Sequence, residues 1–244
     1  MKFYLGVHMP VFMERTNVPL FISINRLLNR KKKFNQNSSI AIDSGGFTEL
    51  SKNGKWTRTP EEYVKELHNC QKLGLKIDWA APQDWMTENF ILEKTGLTIE
   101  DHQKKTVENL INLRKLTSKI HFIPVLQGQT IQDYLNHIEM YYEKGIKLKE
   151  EELVGIGSVC RRQHTDEIFE IIQTLHSQKL NLHGFGIKKK GLIKYGHLLN
   201  SADSMAWSYN GRFQKCPFGK NGCQNCLHHA LKWRNELNEQ TTPE

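Results

Sequence analysis

The chain of 244 residues is long enough to bury a complete core, and its length fits one large domain or two small ones, of which one is expected. With 38% apolar and 25% charged residues and no apolar run long enough to cross a bilayer, the composition excludes a membrane-spanning protein. A net charge of +8 with a pI near 9.2 favours a polyanionic partner, and five cysteines, an odd number, argue against a disulfide scaffold.

Residues 2–7 read as a first strand ending at His8-Met9-Pro10; the short apolar run lacks the core of a secretion signal, so a cytoplasmic location is expected. Residues 20–23 are a further strand candidate. The basic run Asn29-Arg30-Lys31-Lys32-Lys33 reads as a solvated loop, with phosphate contact as the alternative. In Ile40-Ala41-Ile42-Asp43 a short buried strand stops at a carboxylate, and Gly45-Gly46 follow at once, free to turn left-handed or approach a flat ligand. An Asp that merely caps a turn is the competing reading of Asp43.

Thr59-Pro60-Glu61-Glu62 opens a helix that runs to Gly74, with Tyr63, Val64, Leu67, Cys70 and Leu73 on one face; Cys70 is therefore assigned to the core. Residues 76–81 form a strand that runs out into Pro82-Gln83-Asp84-Trp85. A capped helix covers 98–116, and a strand at 121–126 contains Pro124 and ends in Gln127-Gly128-Gln129. A helix opens at Thr130 and stops at Gly145. A strand over 152–156 ends in Gly155-Ile156-Gly157-Ser158, and a helix spans 165–177. A strand over 180–185 ends in Gly186, trailed by Lys188, Lys189 and Lys190; 191–199 is helical, and Ala202-Asp203-Ser204-Met205-Ala206-Trp207 follows.

Strand, polar or glycine-rich turn, helix, repeated about seven times, is the grammar of a parallel α/β protein, and the length points to a (β/α)₈ TIM-type barrel with an open doubly wound sheet as the alternative. Residues 1–210 are expected to form the catalytic barrel, and 211–244 a Cys-rich zinc-binding segment with a helix packed on it. In a barrel the strand ends meet at one mouth, which gathers Asp43, Asp84, Gln127, Gly155, Gly157, Gly184, Gly186 and Asp203. A carboxylate accepting from a guanine-like edge, an amide or backbone N–H donating to its carbonyl, and a further pair of Asp residues suit recognition and exchange of a nucleobase. Arg161, Arg162, Lys188 and Lys189 follow strands on the same face and are candidate phosphate contacts, or else a solvated helix start.

Cys216-x6-Cys223-x2-Cys226 carries the knuckle spacing that sets two thiolates on one zinc ion. His229, three residues after Cys226, is preferred over His228 as fourth ligand because it would share a helix face with it. A closed site of this kind is structural.

Asp43-Ser44-Gly45-Gly46-Phe47, Val125-Leu126-Gln127-Gly128, Val154-Gly155-Ile156-Gly157-Ser158, His183-Gly184-Phe185-Gly186, Ser201-Ala202-Asp203-Ser204-Met205-Ala206-Trp207 and the terminal Cys cluster occur in family order. On these motifs the chain resembles the queuine/archaeosine tRNA-guanine transglycosylase superfamily, and within it the DpdA family of DNA 7-deazaguanine transglycosylases. The resemblance implies that Asp203 is a nucleophile forming a covalent glycosyl-enzyme and Asp43 the general acid/base, with Ser44, Gly45, Gly46 and Phe47 against the substrate. It further implies that Asp84 and Gln127 read the base, that backbone at Gly155, Gly157, Gly184 and Gly186 contacts it, and that Phe47, Trp85 or Phe185 stacks on the ring. The implied partners are DNA and a free 7-deazaguanine base such as preQ0, with structural zinc as the metal; a helper ATPase or second subunit stays open. Thr48 stands where the tRNA enzymes carry Gln, the first Cys spacing is wider, and the chain is shorter without an appended RNA-binding domain. These departures point to the DNA branch; exchange on tRNA and a non-catalytic nucleic-acid-binding relative are the alternatives.

Overall fold

A computed structural model describes residues 1–160, 165–218 and 222–241. The strands are β1 (Lys2–Val7), β2 (Leu20–Ser23), β3 (Ile40–Asp43), β4 (Trp79–Ala80), β5 (Val125–Leu126), β6 (Val154–Ile156), β7 (Leu182–Gly184) and β8 (Ser201–Ser204). The helices are α1 (Phe12–Arg15), α2 (Gly46–Asn53), α3 (Pro60–Lys72), α4 (Asn89–Thr95), α5 (Ile99–Leu116), α6 (Ile131–Glu143), α7 (Asp166–Ser177), α8 (Lys189–Tyr195), α9 (Ala206–Gly211) and α10 (Leu227–Thr241). All strand pairs are parallel, in the order β4-β3-β2-β1-β8-β7-β6-β5, so the first strand lies beside the last in a curled α/β sheet. Ala80 of β4 forms a parallel bridge to Phe122, just ahead of β5: the Ala80 N–H donates to the His121 carbonyl at 2.9 Å and the Ile123 N–H to the Ala80 carbonyl at 3.3 Å.

Alternation along each strand sorts the two faces. Leu5, Ile22, Ile42, Ile156, Leu182 and Ala202 join the main core with Tyr63, Leu110, Tyr134 and Ile171 of the surrounding helices. Tyr4, Phe21, Ala41, Trp79 and Ile123 point the other way and form a smaller cluster inside the curl. Because both faces are covered, β2 to β6 read as short, nearly continuous apolar runs, and the alternation becomes visible only once the sheet has two sides.

Predicted elements match in kind and differ at their ends. The 20–23 segment is β2. The strand expected at 121–126 shrinks to Val125–Leu126, because Pro124 has no N–H for the ladder and offers only its carbonyl, which accepts from Gly155 N–H at 2.8 Å. The 76–81 strand contracts to Trp79–Ala80. Helices α3, α5 and α6 start at the Thr caps read from sequence, each with a complete capping box. Helix α8 begins at Lys189, earlier than expected, and passes into a 3₁₀ turn at Gly196–Leu198. Ala230 and Leu237 of α10 belong to the main core, and Trp233 lies 6.1 Å from the Phe3 ring, centroid to centroid. No helix among the described residues is long and apolar enough to cross a membrane.

Candidate active site

The inner-face residues at the C-terminal strand ends build the site. On β3, Ile40 and Ile42 pack outward, which leaves Ala41 and Asp43 inside; on β8, Ala202 packs outward and Asp203 faces in. Two cavities meet at these acids. One, of about 260 Å³, is lined by Asp84, Gln127, Gly157, Ser158, Phe185 and Gly186; the other is a groove of about 580 Å³ along His8, Asn25, Arg26, Lys52 and Met205. Asp43, Asp203, Phe21 and Phe47 line both.

Each acid has a distinct environment. Burial pushes the Asp43 carboxyl above the usual range; hydrogen bonds from Ser23 and from the Gly45 backbone oppose this, and the charge of Asp203 adds to it. Asp203 is 5% exposed, and its Oδ1 accepts the Gly186 N–H at 3.0 Å. The same oxygen is 3.4 Å from Nε2 of His183, a fully buried ring whose Nδ1 is 2.8 Å from Ser201 Oγ. Trp79 and Phe185 each approach the His183 ring to 4.7 Å between centroids, so the ring is packed tightly beneath the acid.

Asp84 is pushed up to about 7, by burial first and then by the charge of Asp43. Gln127 is fully buried and donates from Nε2 to Asp84 Oδ2 at 2.6 Å. Its Oε1 faces the Ser158 hydroxyl at 2.7 Å, a geometry that assigns the amide orientation. The Gln127 backbone is fixed as well: its N–H donates to His137 Nδ1 at 2.9 Å, and burial drives that imidazole down to about 3, so it is neutral and able to accept. The Gln127 amide occupies the space where a Cβ on residue 157 would stand, so glycine is required at Gly157.

The remaining expected residues are placed as follows. Gly45, at φ +85°, caps α2, which begins at Gly46; Gly46 lines the smaller cavity, and Phe47 is 51% exposed at the rim shared by both. Ser44 is buried, lines neither cavity, and its hydroxyl has no partner among the described residues. Gly155 and Gly184 are strand residues away from the cavity walls, where the missing side chains leave room for Phe185 and Ile187. Trp85, expected as a stacking ring, instead packs with Leu50 and Ile91 beneath α2 and α4, because the 82–88 loop turns it away from the cavity. Lys188 caps α8 and Lys189 starts it, near the same strand ends but outside both cavities. Arg161 and Arg162 lie outside the described residues.

Asn25, Arg26 and Lys52 also line the groove, and Glu88 lies beside Ser158, although none of the four stands in a sequence motif. Asn25 and Arg26 follow β2, a four-residue strand with no glycine or acidic motif at its end. Ser158 stood inside the Gly155-Ile156-Gly157-Ser158 motif, where its position after the second glycine was the available signal.

Near the C-terminus the sulfurs of Cys216, Cys223 and Cys226 all lie within 4.8 Å of one another, close enough to share one metal ion. The knuckle is clamped against α9: Cys223 N–H donates to the Gly211 carbonyl at 2.6 Å, and a Cβ on Gly211 would meet the Cys223 backbone at 2.7 Å. This donor set and spacing fit zinc. His229 is not in the cluster; its Nε2 sits 3.2 Å from the Trp207 carbonyl. Cys226 stands just before α10, and its carbonyl accepts the Ala230 N–H of the helix's first turn at 3.0 Å.

Two comparisons bear on identity. No curated protein matches the chain. The family model for DpdA, DeoxyPurine in DNA protein A, matches residues 1–243. A curled parallel sheet with its acids gathered at the strand ends, matched along its whole length by that family model, belongs to the DpdA family.

Proposed function

We propose that this chain exchanges guanine in DNA for a free 7-deazaguanine base at the mouth of a closed (β/α)₈ barrel. The observation that carries this reading is that Asp43 and Asp203 both border a small pocket and a longer groove. A flipped base would occupy the pocket and the strand would follow the groove, leaving the sugar between the two acids.

Asp84 and Gln127 would read the base edge. The Asp203 carboxylate attacks C1′ from the face opposite the base, the C1′–N9 bond breaks, and the leaving guanine takes a proton from Asp43, whose raised affinity for protons suits that task. A 7-deazaguanine then replaces guanine in the pocket. Its N9 proton passes to Asp43, N9 bonds to C1′, and the Asp203 carboxylate is released. Two inversions give net retention, and protons and electrons balance without a redox or nucleotide cofactor. The Cys216, Cys223 and Cys226 thiolates would hold a structural zinc ion, tying the segment after α9 to α10, with no part in the exchange.

The test is incubation of the protein with preQ0 and either duplex DNA or tRNA, followed by digestion to nucleosides and mass spectrometry. A 7-deazaguanine deoxynucleoside is expected. A modified ribonucleoside alone would transfer the reading to tRNA, and abasic sites without incorporation would replace exchange by hydrolysis.

A further inference from the structure

We propose that the exposed face formed by Met205, Tyr209 and Phe213 is a stacking platform for unpaired bases of the DNA strand beside the flipped nucleotide. This rests on the base-exchange reading above. Met205 is 45%, Tyr209 61% and Phe213 78% exposed, a concentration of apolar surface that a solvated helix face does not require. The two rings meet edge to face with centroids 5.7 Å apart, and the Arg212 guanidinium lies over Tyr209 at 5.5 Å.

The opposite side of α9 is rigidly seated. Trp207 is fully buried and donates its indole N–H to the Gly6 carbonyl at 2.8 Å, Ser208 Oγ donates to the Gln224 carbonyl at 2.9 Å, and Gly211 packs on the Cys223 backbone. The rings are therefore held outward by a pinned base, which lowers the entropy lost when something stacks on them.

Two observations favour nucleic acid as the occupant. Met205, which precedes α9 one helical turn before Tyr209, lines the groove together with Asp43 and Asp203. The neighbours of the patch are cationic: Arg212 and Lys215 are exposed beside it, and Arg26 and Lys52 line the groove. The one acid in the groove lining besides the two aspartates, Glu49, accepts from Thr57 N–H at 2.8 Å and Thr57 Oγ1 at 2.5 Å. Aromatic rings interleaved with cations along a groove are the arrangement by which proteins bind single strands without reading their sequence.

The experiment measures fluorescence anisotropy of a short labelled single-stranded oligodeoxynucleotide, and of a duplex carrying a central unpaired bubble, across a salt series. The full chain is compared with a Tyr209→Ala/Phe213→Ala double variant and a Tyr209→Trp/Phe213→Trp double variant. Removal of the rings is expected to weaken binding by roughly tenfold or more at every salt concentration, with the slope of log K against log salt unchanged, while the Trp variant binds like wild type. Equal affinity of the Ala and wild-type proteins overturns the proposal, as does a wild-type dimer that becomes monomeric in light scattering when the rings are removed. Base exchange is followed in parallel by nucleoside mass spectrometry. If wild type binds through the rings but performs no exchange, the exchange reading fails and the platform stands; if exchange proceeds while the Ala variant binds normally, the platform fails alone.

Discussion

Asp203 offers a carboxylate held by the Gly186 N–H at 3.0 Å, and Asp43 holds its proton more tightly than a surface acid. On the proposed mechanism Asp203→Asn should reduce exchange at least about 10³-fold, because it would remove the proposed nucleophile rather than an assisting group, and should leave DNA binding intact. Trapping of a covalent DNA–protein adduct by wild type, and its absence in the variant, checks the assignment. Asp84 makes a pH prediction whose sign follows from its pKa, raised from 3.8 to about 7. The folded protein binds this proton more tightly than the unfolded chain, so the contribution to stability is complete below about pH 4 and is lost as pH rises through about 7. Asp84→Asn should therefore stabilise the protein at pH 8 by about 1–2 kcal/mol, discounted because the carboxylate opens onto a cavity that water enters, and the gain should vanish in acid. Thermal melts at the two pH values decide this. If ionised Asp84 accepts from the base, affinity for free base should also rise through about pH 7 in wild type, and the variant should lose that limb.

At the level of elements, the residues just after short strands line the smaller cavity and helix starts hold the frame. Gly157 follows β6, where its missing side chain admits the Gln127 amide. Gly157→Ala should drive the buried Gln127 amide off Asp84 Oδ2 and the Ser158 hydroxyl, costing about 1–3 kcal/mol of stability and raising the KM for free base about tenfold or more; an unchanged KM would detach Gln127 from base reading. Helix α3 illustrates the framing role: Thr59 accepts the Glu62 N–H at 3.3 Å, and Glu62 returns a bond to the Thr59 N–H at 2.8 Å. Thr59→Ala should cost about 1 kcal/mol, which a melt reads as a drop of roughly 2–4 °C, with exchange unaffected.

For the molecule as a whole, the C-terminal segment closes the fold. Helix α10 contributes Ala230 and Leu237 to the main core, and the thiol cluster fixes the turn leading into it. Purified protein should contain about one zinc ion per chain, and Cys226→Ser or a strong chelator should lower the melting temperature with loss of helical signal, as expected for a metal that stabilises structure. A metal-free protein that melts at the same temperature would remove the site from the stability of the fold. The charge of +8 makes DNA affinity fall steeply with salt, and this general term should persist in every site variant above.

The sequence by itself determined the α/β grammar, the capped starts of α3, α5 and α6, the acids at the ends of β3 and β8, and the thiol spacing, because all of these depend on neighbours a few residues apart. It also carried the motifs by which the family is recognised. Only the tertiary structure decided which of those residues share a cavity. Ser44, Gly155 and Gly184 stand in the motifs yet line neither cavity, Trp85 turns into a core, and His229 bonds to Trp207 instead of joining the thiols. Asn25 and Arg26 enter the groove from a strand whose local signal is weak. The physical reason is that an inward or outward direction is a property of a strand in register with its neighbours, and that register is set by pairings such as that of β1 with β8, which joins residues from the two ends of the chain.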